Sequence, residues 1–312
     1  MKKAFFLALA FCLVLLAETR MVFAAESATD VAVNWDRAVQ ITEGVRYTRL
    51  VYEQPRKMKG YAMRIDLSNP TFAFTANGRD PEWGKPMPDY TNGTIRTQRV
   101  TVRDFLLNAR EPVGKGGHGL DMIVAFNTAP WGPWRKPFTF RYGDPHGYNV
   151  SNGEMITDNH DKGQSPVFVI WKNGTASILP SVPTERRSDV WISHAGFDLI
   201  LKDGKPLVNP KQGSYHPRMV LGLSADRRWL YVLAVDGRQK NWSIGADYWD
   251  LAKMMLRLGA TDAINMDGGG STTLMYWDEA SGTPVTCNRP TEASDMQRPC
   301  ALNIGIYRKA KQ

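Results

Sequence analysis

The sequence predicts an α+β fold in which antiparallel or mixed sheets predominate and helices are few. Three observations carry that expectation. Short apolar runs separated by Asn-Gly, Asp-Gly or charged turns fill the second half of the chain, as consecutive hairpins do. Only Asp247 to Leu258 keeps apolar residues at a sustained helical spacing. A triple glycine, Gly268 to Gly270, separates an apolar run, Ala263 to Met266, from a β-rich run, Ser271 to Trp277, expected to be a strand.

The chain has 312 residues, 43% of them hydrophobic and 22% charged, the balance of a soluble globular protein. At its start, Met1-Lys2-Lys3 precedes an apolar stretch from Ala4 to Ala17, too short to span a bilayer and matching a secretory signal peptide. Val22-Phe23-Ala24 then offers a cleavage site before Ala25. The expected organisation is a signal peptide over 1–24 and one domain over 25–312, exported by a bacterium to the periplasm or beyond, with no integral membrane segment left. Cys12 leaves with the leader, and Cys287 and Cys300 remain as an even pair in an oxidising compartment, so a disulfide between them is expected. The net charge is +8, and +6 once Lys2, Lys3, Arg20 and Glu18 are removed. That excess of cations suits an anionic partner such as a phosphorylated glycan or a cell envelope, or else plain solubility. No basic block or aromatic-basic alternation marks nucleic-acid binding.

Taken in order, Trp35 is the first core anchor, and Val45–Glu53 and Tyr61–Leu67 alternate as strands around a polar turn. Arg79 to Asn92, rich in Pro and Gly, is an excursion loop. Thr101 and Asp104 form an N-terminal cap for a short helix through Asn108. Met122 to Phe126 is a buried strand ending at Asn127. From Pro130 to Tyr142, aromatic residues interleave with Arg135, Lys136 and Arg141, either to stack on sugars and bind anions or to pack on themselves. Asn173-Gly174 and Asp203-Gly204 mark hairpin turns, the former with a type I′ signal. Met219–Leu223 and Trp229–Val235 form another hairpin, Gly259 stops the Asp247–Leu258 helix, and Ala301–Tyr307 is the last strand.

The chemistry concentrates at Asp267-Gly268-Gly269-Gly270-Ser271-Thr272. Three glycines cost backbone entropy that is recovered where the chain approaches something closely or takes positive φ. Their N–H groups either form an anion-binding nest beside the Asp267 carboxylate or serve a tight turn that Asp267 caps. No Lys follows the glycines and no helix is signalled, which excludes a P-loop and a dinucleotide fingerprint. Asp236-Gly237-Arg238 likewise ends an apolar strand, so Asp236 and Asp267 are candidates for the paired carboxylates of glycosidic cleavage. Arg218 and Arg238 are candidate anion ligands, since a guanidinium fork matches two phosphate oxygens. His118, His146, His160, His194 and His216 show no metal-ligand spacing, and no Gly-x-Ser-x-Gly elbow occurs.

Asn265-Met-Asp-Gly-Gly-Gly-Ser-Thr-Thr-Leu274, with Val235-Asp-Gly-Arg238 and Pro217-Arg218 upstream, resembles the signature of the phosphodiester glycosidase family. The resemblance runs from about Trp35 to Tyr307 and includes Ser151-Asn-Gly153, Asn288-Arg-Pro290 and Arg298. One departure is Asn127-Thr-Ala-Pro-Trp131, where the family commonly has Asn-Gly-Gly-Phe-Phe. The resemblance implies hydrolysis of a sugar-1-phosphodiester to free sugar and a phosphomonoester, which requires no cofactor; a calcium ion on loop aspartates is an open alternative, though no Ca²⁺-loop spacing supports it. It implies Asp267 and Asp236 as nucleophile or base and its partner. It places Arg218, Arg238, Gly268, Gly269, Gly270, Ser271 and Thr272 around the phosphate. Asn127, Asn152 and Asn288 become candidates for sugar hydroxyls or loop hydrogen bonds, and Arg289 and Arg298 for extending the anion site. The rival expectation is a non-catalytic glycan-binding or envelope-polymer assembly module on the same fold.

Overall fold

The computed structural model describes residues 32–135, 138–159, 165–209, 213–291 and 296–310. The expected signal peptide with Cys12, and also Lys136 and His160, lie outside the described residues.

The largest sheet has eight antiparallel strands in the spatial order Val39–Thr42, Val45–Tyr52, Met58–Asp66, Trp229–Val235, Arg218–Leu223, Asp262–Asn265, Asp198–Lys202 and Lys205–Pro206. Its central strands read as near-continuous apolar runs because both faces are covered. Met219, Leu221, Val232 and Ala234 point into the main core, while Val220, Tyr231, Leu233 and Val235 point the other way. On that second face lies helix α2, to be distinguished from the earlier α1 (Val102–Arg110); α2 spans Tyr248–Leu258 and packs Leu251, Met255 and Leu258 onto the sheet. Both helices have legible ends. Asp247 caps α2 in a reciprocal capping box with Asp250, and Gly259 ends it at φ +101°. Thr101 accepts from the Asp104 N–H at the start of α1.

The main core is shared with two five-stranded antiparallel sheets. One has the order Thr283–Thr286, Leu274–Asp278, Asp121–Asn127, Asn303–Arg308 and Phe72–Ala76. The other has the order Glu154–Asn159, Gly147–Ser151, Val190–Ala195, Val167–Trp171 and Ala176–Leu179. Phe126 and Ile304 from the first, and Phe168 and Ile192 from the second, bury with Met63, Leu221 and Ile264 of the large sheet. Helix α1 covers the outer face of the first through Val102, Leu106, Met122 and Met275. The fold is thus sheet-dominated, more strongly than the α+β expectation suggests.

Three local expectations change. The strand after the glycines starts at Leu274 rather than Ser271, because Gly269–Ser271 form a 3-10 turn first. The Asn173-Gly174 turn is not type I′: only Gly174 has positive φ, and Asn173 instead accepts from the Thr175 N–H and hydroxyl at 3.0 and 2.7 Å. The type I′ geometry belongs to Asp203 (φ +49°) and Gly204 (φ +75°). Finally, Cys287 and Cys300 are free thiols, not a disulfide. Cys287 packs against the main core beside Tyr47 and Tyr276, whereas Cys300 bridges to Val100 and donates to the Arg298 carbonyl at 3.3 Å.

Candidate active site

Antiparallel pairing fixes where the motifs meet. Arg218 begins its strand opposite Val235, which ends the neighbouring one, and Val220 pairs with Asn265 on the other side. The segments His216–Arg218, Asp236–Arg238 and Met266–Gly270 therefore leave the sheet at one end. They pack too closely for side chains. A Cβ on Gly268 would lie 2.5 Å from the Pro217 carbonyl oxygen, and Gly269 adopts φ +65° with the Arg238 guanidinium over it. Gly268 and Gly269 are thus explained, the first by close approach and the second by positive φ.

Their N–H groups are largely committed within the protein. Gly269 N–H donates to the Pro217 carbonyl at 2.9 Å, Ser271 N–H to Gly268 and Thr272 N–H to Gly269, both at 3.3 Å. The Gly268 N–H faces the Asp267 carboxylate. The turn therefore does not present a row of free donors as an anion nest would. Thr272 is buried in it.

Asp267 sits where two sheets converge. Its N–H donates to the Thr128 carbonyl at 2.7 Å, and its own carbonyl accepts from Asn127 Nδ2 at 2.8 Å. Its side chain lines a cavity of about 830 Å³ whose walls include Tyr90, Trp131, Trp134, Phe197, Asp144 and His146. Burial raises the Asp267 pKa to about 6, against the opposing pull of the Ser271 hydroxyl, Arg298, the Gly268 N–H and the Trp131 indole N–H. A carboxyl group poised near neutrality in an aromatic cavity is suited to nucleophilic or acid–base work.

Two arginines stand close by. Arg298 is buried with its guanidinium 3.9 Å from the Phe138 ring centroid. Arg99, which the sequence did not single out, is buried 4.7 Å from the Trp131 ring centroid. Its Nη2 donates to the Phe138 carbonyl at 3.1 Å, while Nε and Nη1 have no hydrogen-bond partner among the described residues. Burial, with Arg298 adding repulsion, brings the Arg99 pKa down to about 10. No local pattern flags Arg99: it follows a two-residue strand, Thr97–Gln98, and reaches the site only through the fold.

Asp236 has the same strand-end context as Asp267 but a different environment. It is fully buried, and its carboxylate accepts from Trp242 Nε1 at 2.7 Å, the Arg289 N–H at 2.8 Å and Asn288 Nδ2 at 3.3 Å. Burial raises its pKa, and these donors oppose that rise. Asn288 also donates to the Thr272 carbonyl at 3.0 Å and accepts from the Leu274 N–H at 2.9 Å, so Asp236 is tied to the glycine motif through it. The Arg289 guanidinium lies 5.5 Å from the Trp242 ring centroid.

The remaining sequence candidates are accounted for by their contacts. Arg218 donates to the carbonyls of Ala246 (3.4 Å) and Ser214 (3.1 Å) and rests on Tyr248. Arg238 donates through Nε to His216 Nδ1 at 3.3 Å. Asn152 is spent on Ala76, donating to its carbonyl at 2.9 Å and accepting its N–H at 3.0 Å, and does not join the cluster. His194 is fully buried between Thr128 (2.7 Å) and Ser151 (3.3 Å), and burial takes its pKa down to about 3, so it is a neutral framework residue. Among the described residues, no three His, Cys, Asp or Glu side chains gather as a metal-binding group. No described helix is long and apolar enough to cross a membrane.

Comparison with known proteins gives the fold and the family. No curated protein matches the chain in sequence. Among solved structures, the catalytic domain of zebrafish N-acetylglucosamine-1-phosphodiester alpha-N-acetylglucosaminidase, auto-inhibited by its pro-peptide, is similar at 17% identity and a TM-score of 0.59, covering 85% of this chain and 82% of that one. A hypothetical protein from Synechocystis is similar at 12% identity and TM-score 0.54, covering 86% and 63%. A protein of Burkholderia pseudomallei described as exported is similar at 13% identity and TM-score 0.51, covering 80% and 74%. At such identities the likeness carries the fold. The model of the phosphodiester glycosidase family, however, matches residues 130–307, more than half of the chain, from the Trp131 wall through Asp236 to the glycine motif and the last strand. The chain belongs to the phosphodiester glycosidase family.

Proposed function

We propose that this protein is an exported hydrolase that cleaves the C–O bond of a sugar-1-phosphodiester, releasing free sugar and a phosphomonoester. The observation that carries the reading is Asp267, a carboxyl group with a pKa near 6, set in an aromatic-walled cavity beside Ser271 and Arg298. Asp267 acts at the anomeric carbon as nucleophile or as base for water. The C–O electron pair departs with the phosphate ester, and water supplies the hydroxyl to carbon and a proton to solvent. An anionic leaving group needs little protonation, so cations and fixed donors replace the strong general acid of an ordinary glycosidase. Arg298 and Ser271 act on Asp267 directly and are the groups for that task, with Arg99 behind them on the Trp131 ring. Asp236, Asn288 and Asn127 hold the motif in place, and Arg218 and Arg238 buttress the glycine turn. The name of the zebrafish relative makes an α-N-acetylglucosamine 1-phosphodiester the first substrate to test.

The test is incubation of mature protein with that diester, with products identified by mass, beside an Asp267→Asn variant. Free sugar and phosphomonoester from wild type, lost in the variant, is the expected result. Sugar 1-phosphate would move cleavage to the P–O bond and refute the reading. A glycan-binding role without turnover is the second reading, favoured by the exposed Trp134 and Phe197 at the cavity, and sugar binding with no product from any diester would establish it.

A further inference from the structure

The cavity contains a second carboxylate that the motifs do not mark. Asp144 lies on the Tyr142–Pro145 strand, which pairs with Trp131–Gly132, so that Asp144 stands directly across from Gly132. Its Oδ1 is buried 3.6 Å from Arg96 Nε, an ion pair that orients the group. Its Oδ2 receives only a long contact from the Thr94 N–H, at 3.3 Å, and the side chain keeps 22% exposure. An ionised oxygen has room for more than one donor, so Asp144 is oriented by Arg96 and Thr94 and left with accepting capacity in the cavity.

What stands around it is unusual for a surface. Trp134 is 66% exposed and Phe197 49% exposed, and both border the same cavity although they come from separate segments. Tyr90, Trp131 and His146 complete the wall. Large exposed aromatics gathered at one concavity with a few fixed polar groups make a ligand site. Flat rings offer a platform for the C–H face of a pyranose, and a fixed carboxylate oxygen accepts from a hydroxyl at its edge. Gly132, opposite Asp144, leaves the space between them open.

We infer that Asp144 and the rim aromatics Trp134 and Phe197 form a sugar subsite, in which a pyranose stacks on the aromatics and one of its ring hydroxyls donates to Asp144. This rests on the reading of the cavity as the substrate site. It assigns recognition of the sugar to a residue apart from the glycine motif and leaves the reacting carbon to Asp267.

The experiment is titration calorimetry of the mature protein with N-acetylglucosamine and its 3-, 4- and 6-deoxy analogues, using wild type, Asp144→Ala, Trp134→Ala and Gly132→Ala. A Cβ at Gly132 would come no closer than 3.7 Å to any atom, His146 Cε1, so that variant keeps the fold while narrowing the space before Asp144. Wild type should bind the sugar. One deoxy analogue should bind roughly tenfold more weakly to wild type, yet with no further loss in Asp144→Ala, the signature of a shared hydrogen bond. Trp134→Ala should weaken the sugar and all analogues alike, and Gly132→Ala should weaken them without loss of thermal stability. Equal losses for the sugar and every analogue on Asp144→Ala, or binding unchanged in Gly132→Ala, would overturn the subsite. So would absence of wild-type binding at tens of millimolar sugar. Diester turnover without sugar binding would leave the proposed reaction standing alone, and Asp144-dependent sugar binding without turnover would do the reverse.

Discussion

Asn127 grips the Asp267 backbone: its Nδ2 donates to the Asp267 carbonyl at 2.8 Å, while its Oδ1 accepts from the Thr273 N–H at 2.9 Å. The amide thus bridges the two flanks of the glycine turn from the end of a neighbouring strand. Asn288 makes a matching bridge between Thr272 and Leu274. Both sites need one donor and one acceptor on the same side chain, which Asn supplies and Asp does not. Asn127→Asp should cost about 1–3 kcal/mol in urea unfolding, the penalty for facing a carboxylate oxygen with a buried carbonyl. The added negative charge should also move the acid limb of activity to higher pH.

Asp267 itself should trade stability for function. Burial raises its folded-state pKa from 3.8 to about 6. A raised carboxyl pKa favours the folded state only while the group is protonated. The stability it allows is fully present below about pH 4 and is lost as pH rises through about 6. Asp267→Asn should therefore be more stable than wild type above pH 6, by on the order of 2 kcal/mol, and equal to it near pH 3. Thermal unfolding at the two pH values checks this. Wild-type kcat/KM should rise with pH through about 6 as the carboxylate forms, and Asp267→Asn should be inactive throughout.

Asp236 is expected to behave as a positioning residue. Replacing it with Asn turns one oxygen into a donor facing the Trp242 indole N–H or the Arg289 N–H. A loss of about 1–3 kcal/mol of stability is expected, together with a fall in kcat that leaves the acid limb near pH 6 in place. Denaturant unfolding and a pH–rate profile report the two effects. Full stability with complete loss of turnover would instead return Asp236 to the chemistry.

The sequence made visible what is encoded locally. The cap at Thr101, the stop at Gly259 and the strand before Asp267 all follow from neighbours a few residues apart. What takes the oxygens of a carboxylate is not local. Asp236 and Asp267 read alike, a strand followed by Asp-Gly, but Trp242, Arg289 and Asn288 surround the first and a cavity opens on the second. Arg99 and Asp144 carried no signal for the same reason, since each reaches the site through short strands paired with distant segments. The turn N–H groups were legible as a cluster, but not the partner of the Gly269 N–H, the Pro217 carbonyl, which only the strand order brings near.

The two cysteines show how compartment reasoning and geometry part. An even pair in an exported chain suggests a disulfide, which for a loop of this length would contribute roughly 3 kcal/mol. In the fold, however, one thiol belongs to the core around Tyr47 and Tyr276, and the other to the arginine side of the active site, near Ser271 and Arg298. Burial raises both thiol pKa values, that of Cys300 to about 12, so neither forms an appreciable thiolate at neutral pH. The native protein over residues 25–312 should therefore react with neither a disulfide reagent nor iodoacetamide. Unfolded in guanidinium without reductant, it should take up two equivalents of alkylating agent, and its unfolding midpoint should be the same with and without dithiothreitol. A chain that takes up none when unfolded, and that unfolds more easily once reduced, would show that the two thiols do pair.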